Sequence, residues 1–396
     1  IGVGAPSILR ALNAERSAMA IVFSLGYFGI LVGSFLFGYL GDKYGRRTGA
    51  ILGVLAYSIP ALLTVFATSL DQLAAFRFLS GLGIGGVVPN VIALLTETSP
   101  KKYRVTFVMV AYIGYSLGNA SCGQVAAWLI PIYGWTIVFA VAGAAGLALS
   151  IVLYFVLPES VPYLALTATD SPLLAKSVRL ALPERRDHES ARYVVRRHAG
   201  GTRFALRLLF SEYRRIATPL LWAAFFAESL TYMTLTAWIA VIVEQAGLLP
   251  VQASMTFTYA YIGATIAIFV LARFIDAFGP RVSVVSAAIA MAALVFLGTP
   301  GMAATTITVV AIVAIACSSA THQALNGIVG GFYPTAIRGN GVGYATGMGR
   351  AAAIVGPAIA GNLLSADLPL QIVMTAIAAP YTAVIVICLV LDRLQK

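Results

Sequence analysis

The stretch Gly38-Tyr39-Leu40-Gly41-Asp42-Lys43-Tyr44-Gly45-Arg46-Arg47 decides the fold. It lies between two long apolar segments and places four charges within the six residues from Asp42 to Arg47. A degraded copy, Asp276-Ala277-Phe278-Gly279-Pro280-Arg281, follows 234 residues later between another such pair. The same offset carries Pro100 onto Pro334 and Arg104 onto Arg338. Two landmarks at one offset mark a duplicated membrane unit, and parallel halves of that kind are a transporter architecture.

Composition agrees. The chain of 396 residues is 60% hydrophobic and 10% charged, with a mean hydropathy of +0.90, outside the range of soluble domains. Its three cysteines, Cys122, Cys317 and Cys388, all fall in apolar sequence, which suits packing and not disulfides or metal binding. No chelating motif or phosphate-cradling glycine loop is present in the sequence, so no metal and no cofactor are expected.

Apolar runs of about 20 residues mark membrane-spanning helices. Complete spans are expected at 17–40, 48–67, 71–96, 104–130, 135–157, 216–244, 252–276, 281–299, 303–333, 338–365 and 369–391. These are spans 2 to 12. The apolar start Ile1–Leu9, followed by Arg10 and Arg16, reads as the second half of span 1. The expected architecture is an all-α membrane protein with two six-helix bundles, at 1–157 and 216–396, joined by a linker over 158–215 and with its first helix truncated.

Only Arg10, Arg16, Arg77 and Arg350, of the 26 Lys and Arg, lie away from the loops that follow even-numbered spans and the C-terminus. The positive-inside rule places those loops and the C-terminus in the cytoplasm of a multi-pass inner-membrane protein. The same asymmetry accounts for the net charge of +11 through topology and anionic lipid, with no nucleic acid involved. The linker, rich in arginine from Arg179 to Arg215, reads as short amphipathic helices against the membrane face.

The Gly38–Arg47 turn, between spans 2 and 3, resembles the loop motif of the major facilitator superfamily. Similar features run on through Arg77 to Asn90, Leu157-Pro158-Glu159-Ser160, Trp238, Phe332 to Arg338 and Gly347-Met348-Gly349-Arg350. They resemble most the aromatic acid:proton symporter branch. The resemblance implies the twelve-helix major facilitator fold. It also implies a conformational latch at Gly38, Asp42, Gly45, Arg46 and Arg47, with Asp276 as the counterpart in the second half. It implies that Arg77 takes part in proton coupling. The branch carries acidic residues in the first half of span 1, a region that would precede Ile1, and Trp238 is followed by Ile239-Ala240, where proline is common in the branch.

Inside the spans, polar residues are expensive and therefore candidates for function. Arg350 lies about three turns beyond Arg338, and its planar fork suits a carboxylate. His322 and Asn326 share a helix face, with Gln323 beside them; together they offer donors and acceptors to a ring hydroxyl or carboxylate. Glu228 is a candidate proton carrier or the partner of an arginine. Tyr112, Tyr115, Tyr232, Trp238, Tyr259 and Tyr261 are candidate walls for a flat ring, and Asn90 is a further polar candidate. Each also has a packing reading.

The expected function is proton-coupled import of a small aromatic carboxylate, with organic anion, proton and lipid as the partners and the proton gradient as driving force. Antiport efflux of small organic compounds and a transporter-like ligand sensor are the alternatives. No nucleophile or acid–base constellation points to an enzyme, and one chain holds both halves, so a monomer is expected. Cysteines introduced at positions 71 and 367 should react with an impermeant thiol reagent in intact cells, whereas those at positions 44 and 101 should not.

Overall fold

The computed structural model describes residues 1–99, 104–167, 174, 209–210, 214–278, 281–333, 338–366 and 368–394. Among them the regular structure is entirely helical. A 3-10 turn, Gly2–Gly4, leads into α1 (Ala5–Ala11). Then come α2 (Arg16–Tyr44), α3 (Arg46–Leu63), α4 (Leu70–Thr98), α5 (Arg104–Tyr133) and α6 (Thr136–Val156). A short helix Val161–Thr167 follows. The second half holds α7 (Arg214–Gln245), α8 (Pro250–Phe278), α9 (Arg281–Leu297), α10 (Ala304–Phe332), α11 (Arg338–Ser365) and α12 (Leu370–Ala378, resuming as Pro380–Leu394). Each expected span has its helix. Among the described residues, seven helices are long and apolar enough to cross a membrane by length and composition: α2, α3, α4, α6, α7, α10 and α12. Helices are the open-ended structures lipid permits, because every backbone group is satisfied within the segment.

Local chemistry sets the ends. Ser69 caps α4, its side chain accepting from the Gln72 amide, with Asp71 in the first turn to meet the helix dipole. Between α2 and α3 the chain reverses at Gly45, whose φ of 103° favours glycine. The break in α12 falls before Pro380, which has no amide hydrogen for the helix ladder.

Two compact units result. The first comprises Leu25–Gly114 and Phe139–Arg203. Its seams are built on glycine. A methyl group at Gly33 of α2 would overlap the Leu82 carbonyl of α4, and one at Gly83 would overlap the Tyr57 amide of α3. Gly81 and Gly85, spaced as GxxxG, meet the Gly26 and Ile30 carbonyls of α2. In lipid, apolar side chains gain little by leaving their surroundings, so close backbone approach supplies the association.

The second unit comprises Ile1–Ser24, Tyr115–Val138 and Phe204–Lys396. Here α7 is the central post, contacted by α1, α8, α10, α11 and α12, and it is buried along most of its length from Ala224 to Val243. A Cβ at Gly349 of α11 would stand 2.7 Å from Ser229 Oγ, and one at Gly356 2.6 Å from Thr234 Oγ1. Most of the 158–215 linker lies outside the described residues.

Gly33→Ala should lower stability by about 1–3 kcal/mol, the usual cost of overpacking a tight contact. Gly38→Ala, with no atom within 4 Å of the added carbon, should leave it unchanged. Thermal unfolding of the two variants in detergent checks the contrast.

Candidate functional site

Near the middle of α7, Glu228 has no exposed surface. Its Oε2 lies 2.8 Å from His322 Nδ1 on α10 and accepts a hydrogen bond from Ser229 Oγ at 3.1 Å. Its Oε1 has no hydrogen-bond partner among the described residues. The Tyr232 ring, one turn along α7, stacks on the imidazole with centroids 5.2 Å apart and planes 25° from parallel. Ser319 Oγ reaches the Tyr232 hydroxyl at 3.4 Å. A buried charge is tolerable only when paired, and the imidazole is the partner found here.

The cluster depends on the α7–α11 seam. Gly349 lets α11 lie against Ser229, the neighbour of Glu228, and half-buried Arg350 is the next residue. Arg350 therefore lies on α11 at the axial level of Ser229. Asn326, one turn beyond His322, donates from Nδ2 to the His322 carbonyl at 2.9 Å. Gln323 is half-buried beside it. Of the residues expected to bind substrate or protons, the structure thus gathers Glu228, His322 and Tyr232, with Arg350 adjacent in the packing.

The others have different neighbours. Trp238 is fully buried; its indole N–H donates to the Pro357 carbonyl of α11 at 3.1 Å, and Phe23 meets its ring edge-on at 5.1 Å. Tyr115 on α5 and Tyr259 on α8 are exposed, while Tyr261 is buried beside Phe257. The side chain of Tyr112 lies outside the described residues. In the first unit, half-buried Arg77 sets its guanidinium 4.5 Å from the centre of the Phe139 ring, a cation–π contact. Asn90 is buried and donates to the Phe37 and Gly86 carbonyls, both at 2.9 Å. It sits against Gly41 and Gly49, tying α2, α3 and α4 together where the glycine-rich turn begins.

That turn is built with the segment after α6. Asp42 pairs with Arg46, whose Nε lies 3.9 Å from Glu97. Glu97 in turn accepts from Ser160. Glu159 accepts from the Arg47 amide at 3.0 Å and the Ser160 amide at 2.9 Å. Its carboxylate occupies the space a side chain at Gly45 would need. Arg47 donates to the Tyr154 carbonyl and lies over the Tyr154 ring. Glu159 thus serves the start of α3 as an acceptor. Asp276 lies in the last turn of α8, and its side chain is outside the described residues.

Several ionic contacts were not singled out by sequence reasoning. Arg10 Nη1 lies 2.6 Å from Glu244 Oε2. Arg16 Nη1 donates to the Leu364 carbonyl at 2.6 Å and to Gln245 Oε1 at 3.3 Å. A signal for the first existed: Arg10 and Glu244 are 234 residues apart, the offset of the internal duplication, so equivalent positions of the repeat form a pair.

The chain matches the family model described as Major Facilitator Superfamily over residues 1–258 and 220–395. It is 31% identical over 382 residues to a gallate transporter of Pseudomonas putida, covering 96% of this chain and 84% of that one. It is 28% identical to a 4-hydroxybenzoate transporter of Pseudomonas aeruginosa, covering 96% and 85%. It is 27% identical to a benzoate transport protein of Acinetobacter baylyi, covering 99% and 85%. Among solved structures, a nucleoside transporter, NupG, superposes with a TM-score of 0.71 at 14% identity, covering 100% of this chain and 95% of that one.

Trp238→Phe keeps the ring packing and removes the donor to Pro357. It should cost about 0.5–1.5 kcal/mol, the net value of one hydrogen bond. Thermal unfolding of the variant and the unaltered protein in detergent checks this.

Proposed function

Because the chain belongs to the major facilitator superfamily and is a multi-pass membrane transporter, not an enzyme, we propose that it imports a small aromatic carboxylate with protons by alternating access. One observation carries the reading. A buried acid, an imidazole and a phenol meet at mid-helix in a chain aligned nearly end to end with relatives named for gallate, 4-hydroxybenzoate and benzoate.

Charge balance supports the substrate class. Away from their ends, helices α7 to α12 carry only three groups that can be charged near neutral pH: Glu228, His322 and Arg350. With Glu228 charged and His322 protonated they sum to one positive charge, which favours an entering anion. A carboxylate leaving water for such an environment must be met by a fixed cation, and the flat Tyr232–His322 stack provides an aromatic surface for its ring. The distribution of Lys and Arg favours an inner-membrane setting with the Gly38–Arg47 turn on the cytoplasmic side. Both halves lie in one chain, so a monomer suffices for transport.

In this reading Arg350 helps to anchor the anion. Arg350→Lys keeps the charge and loses the bidentate fork, so affinity for 4-hydroxybenzoate should fall while binding survives. Arg350→Ala should abolish the preference for the acid over 4-hydroxybenzamide. Ligand-induced thermal stabilisation by acid and amide, in the unaltered protein and both variants, is the measurement. A well-folded Arg350→Ala protein that still prefers the acid would remove Arg350 from the site.

A further inference from the structure

Resting on the function proposed above, we propose that Glu228 and His322 form a single proton-binding site. It takes up one proton on the Glu228 carboxylate whenever an aromatic carboxylate binds against the His322 ring. The geometry separates the two roles. The Glu228 side chain has no solvent exposure, whereas 25% of the His322 side chain is exposed. An anion entering the bundle therefore reaches the imidazole and not the acid behind it. His322 Nδ1 is engaged by Glu228, which leaves Nε2 to donate to the incoming anion. Tyr232, stacked on the ring, holds the imidazole plane while its two nitrogens serve different partners.

Few other groups compete for the proton. On α10 the nearest titratable neighbour is Cys317, on α7 it is Tyr232, and on α12 Tyr381 lies within electrostatic reach of Glu228, Tyr232 and Cys317. Phenols and thiols are ordinarily neutral near pH 7. On α11, Arg350 keeps a fixed charge. Helix α1 brings only Arg10, engaged at Glu244, and the first charged residue of α8 is Arg273, near its C-terminal end. Glu228 Oε1 has no hydrogen-bond partner among the described residues, so one oxygen of the carboxylate is left as an unused acceptor. The ion pair with His322 is what offsets the cost of keeping that charge buried.

The exchange balances. In the empty site a Glu228 carboxylate faces an imidazolium. A substrate carboxylate accepts a hydrogen bond from Nε2 and draws the imidazolium charge away from Glu228. Glu228 then takes one proton from a hydronium ion: the carboxyl O–H bond forms as a hydronium O–H bond breaks, and water is left. One proton and one carboxylate have entered, so the charge of the site is unchanged. Release of the two to the other side of the membrane restores the starting pair.

The experiment uses the full chain in proteoliposomes and in detergent, with 4-hydroxybenzoate as the probe. The unaltered protein should accumulate it under an inward proton gradient. Glu228→Gln should lose accumulation while still exchanging labelled for unlabelled 4-hydroxybenzoate. Difference infrared spectra should show a protonated-carboxyl stretch that grows when the probe binds and is missing in Glu228→Gln. Isotopic labelling of glutamate carboxyls in the unaltered protein should shift the same band, and in Glu228→Asp the band should follow aspartate labelling instead, which decides the matter if Glu228→Gln does not fold. His322→Gln should lose probe binding and show the carboxyl band without it. Gradient-driven accumulation by Glu228→Gln, or a band that does not move on glutamate labelling, would overturn the proposal. An unaltered protein that accumulates no aromatic acid would instead overturn the transport reading, while the labelled band still decides whether Glu228 takes the proton.

Discussion

Helix backbones in this protein approach to the limit that missing side chains allow. Gly33 against Leu82 and Gly85 against Ile30 are the clearest instances. In water such contacts would add to a large hydrophobic term. In lipid the surroundings are as apolar as the helix surface, so dispersion and hydrogen bonds across the close seams carry the association. Placement of the polar chemistry follows from this. Ser229 supports Glu228 because Gly349 leaves room on α11, and Arg350 reaches that level because it is the next residue.

The same closeness explains how a carboxylate survives inside α7. Glu228 lies on a helix surrounded by five others, far from any loop, and its compensation must come from a neighbouring helix. His322 provides it at 2.8 Å. Removal of one partner from such a pair leaves an uncompensated charge, the costly half of a buried ion pair. In the proposed function, a partner whose own charge depends on protonation is what makes the pair responsive, which a guanidinium in that place would not.

At the glycine-rich turn the constraint is different. The start of α3 needs acceptors for its first amides, and Glu159, distant in sequence, supplies one. Arg46, Asp42, Glu97 and Ser160 continue the connection around the turn. The turn and the segment after α6 are thus one structural element, and the Leu157-Pro158-Glu159-Ser160 motif is explained by what it docks against.

The sequence by itself determined the helices, their order, the duplication and the family, because each rests on local information. A 20-residue apolar run must be helical in lipid, a glycine between charged residues must turn, and an offset of 234 can be read without coordinates. It also singled out Glu228 and His322, because a polar group in apolar sequence is conspicuous. It did not join them. They lie 94 residues apart, and which residues of α7 and α10 face each other depends on helix rotation and axial position, set by the glycine seams. Trp238 and Asn90 had the same standing in the sequence, yet the fold commits their donors to Pro357, Phe37 and Gly86. A side chain's chemistry is written locally; its partner is chosen by packing, and only the tertiary structure decides that.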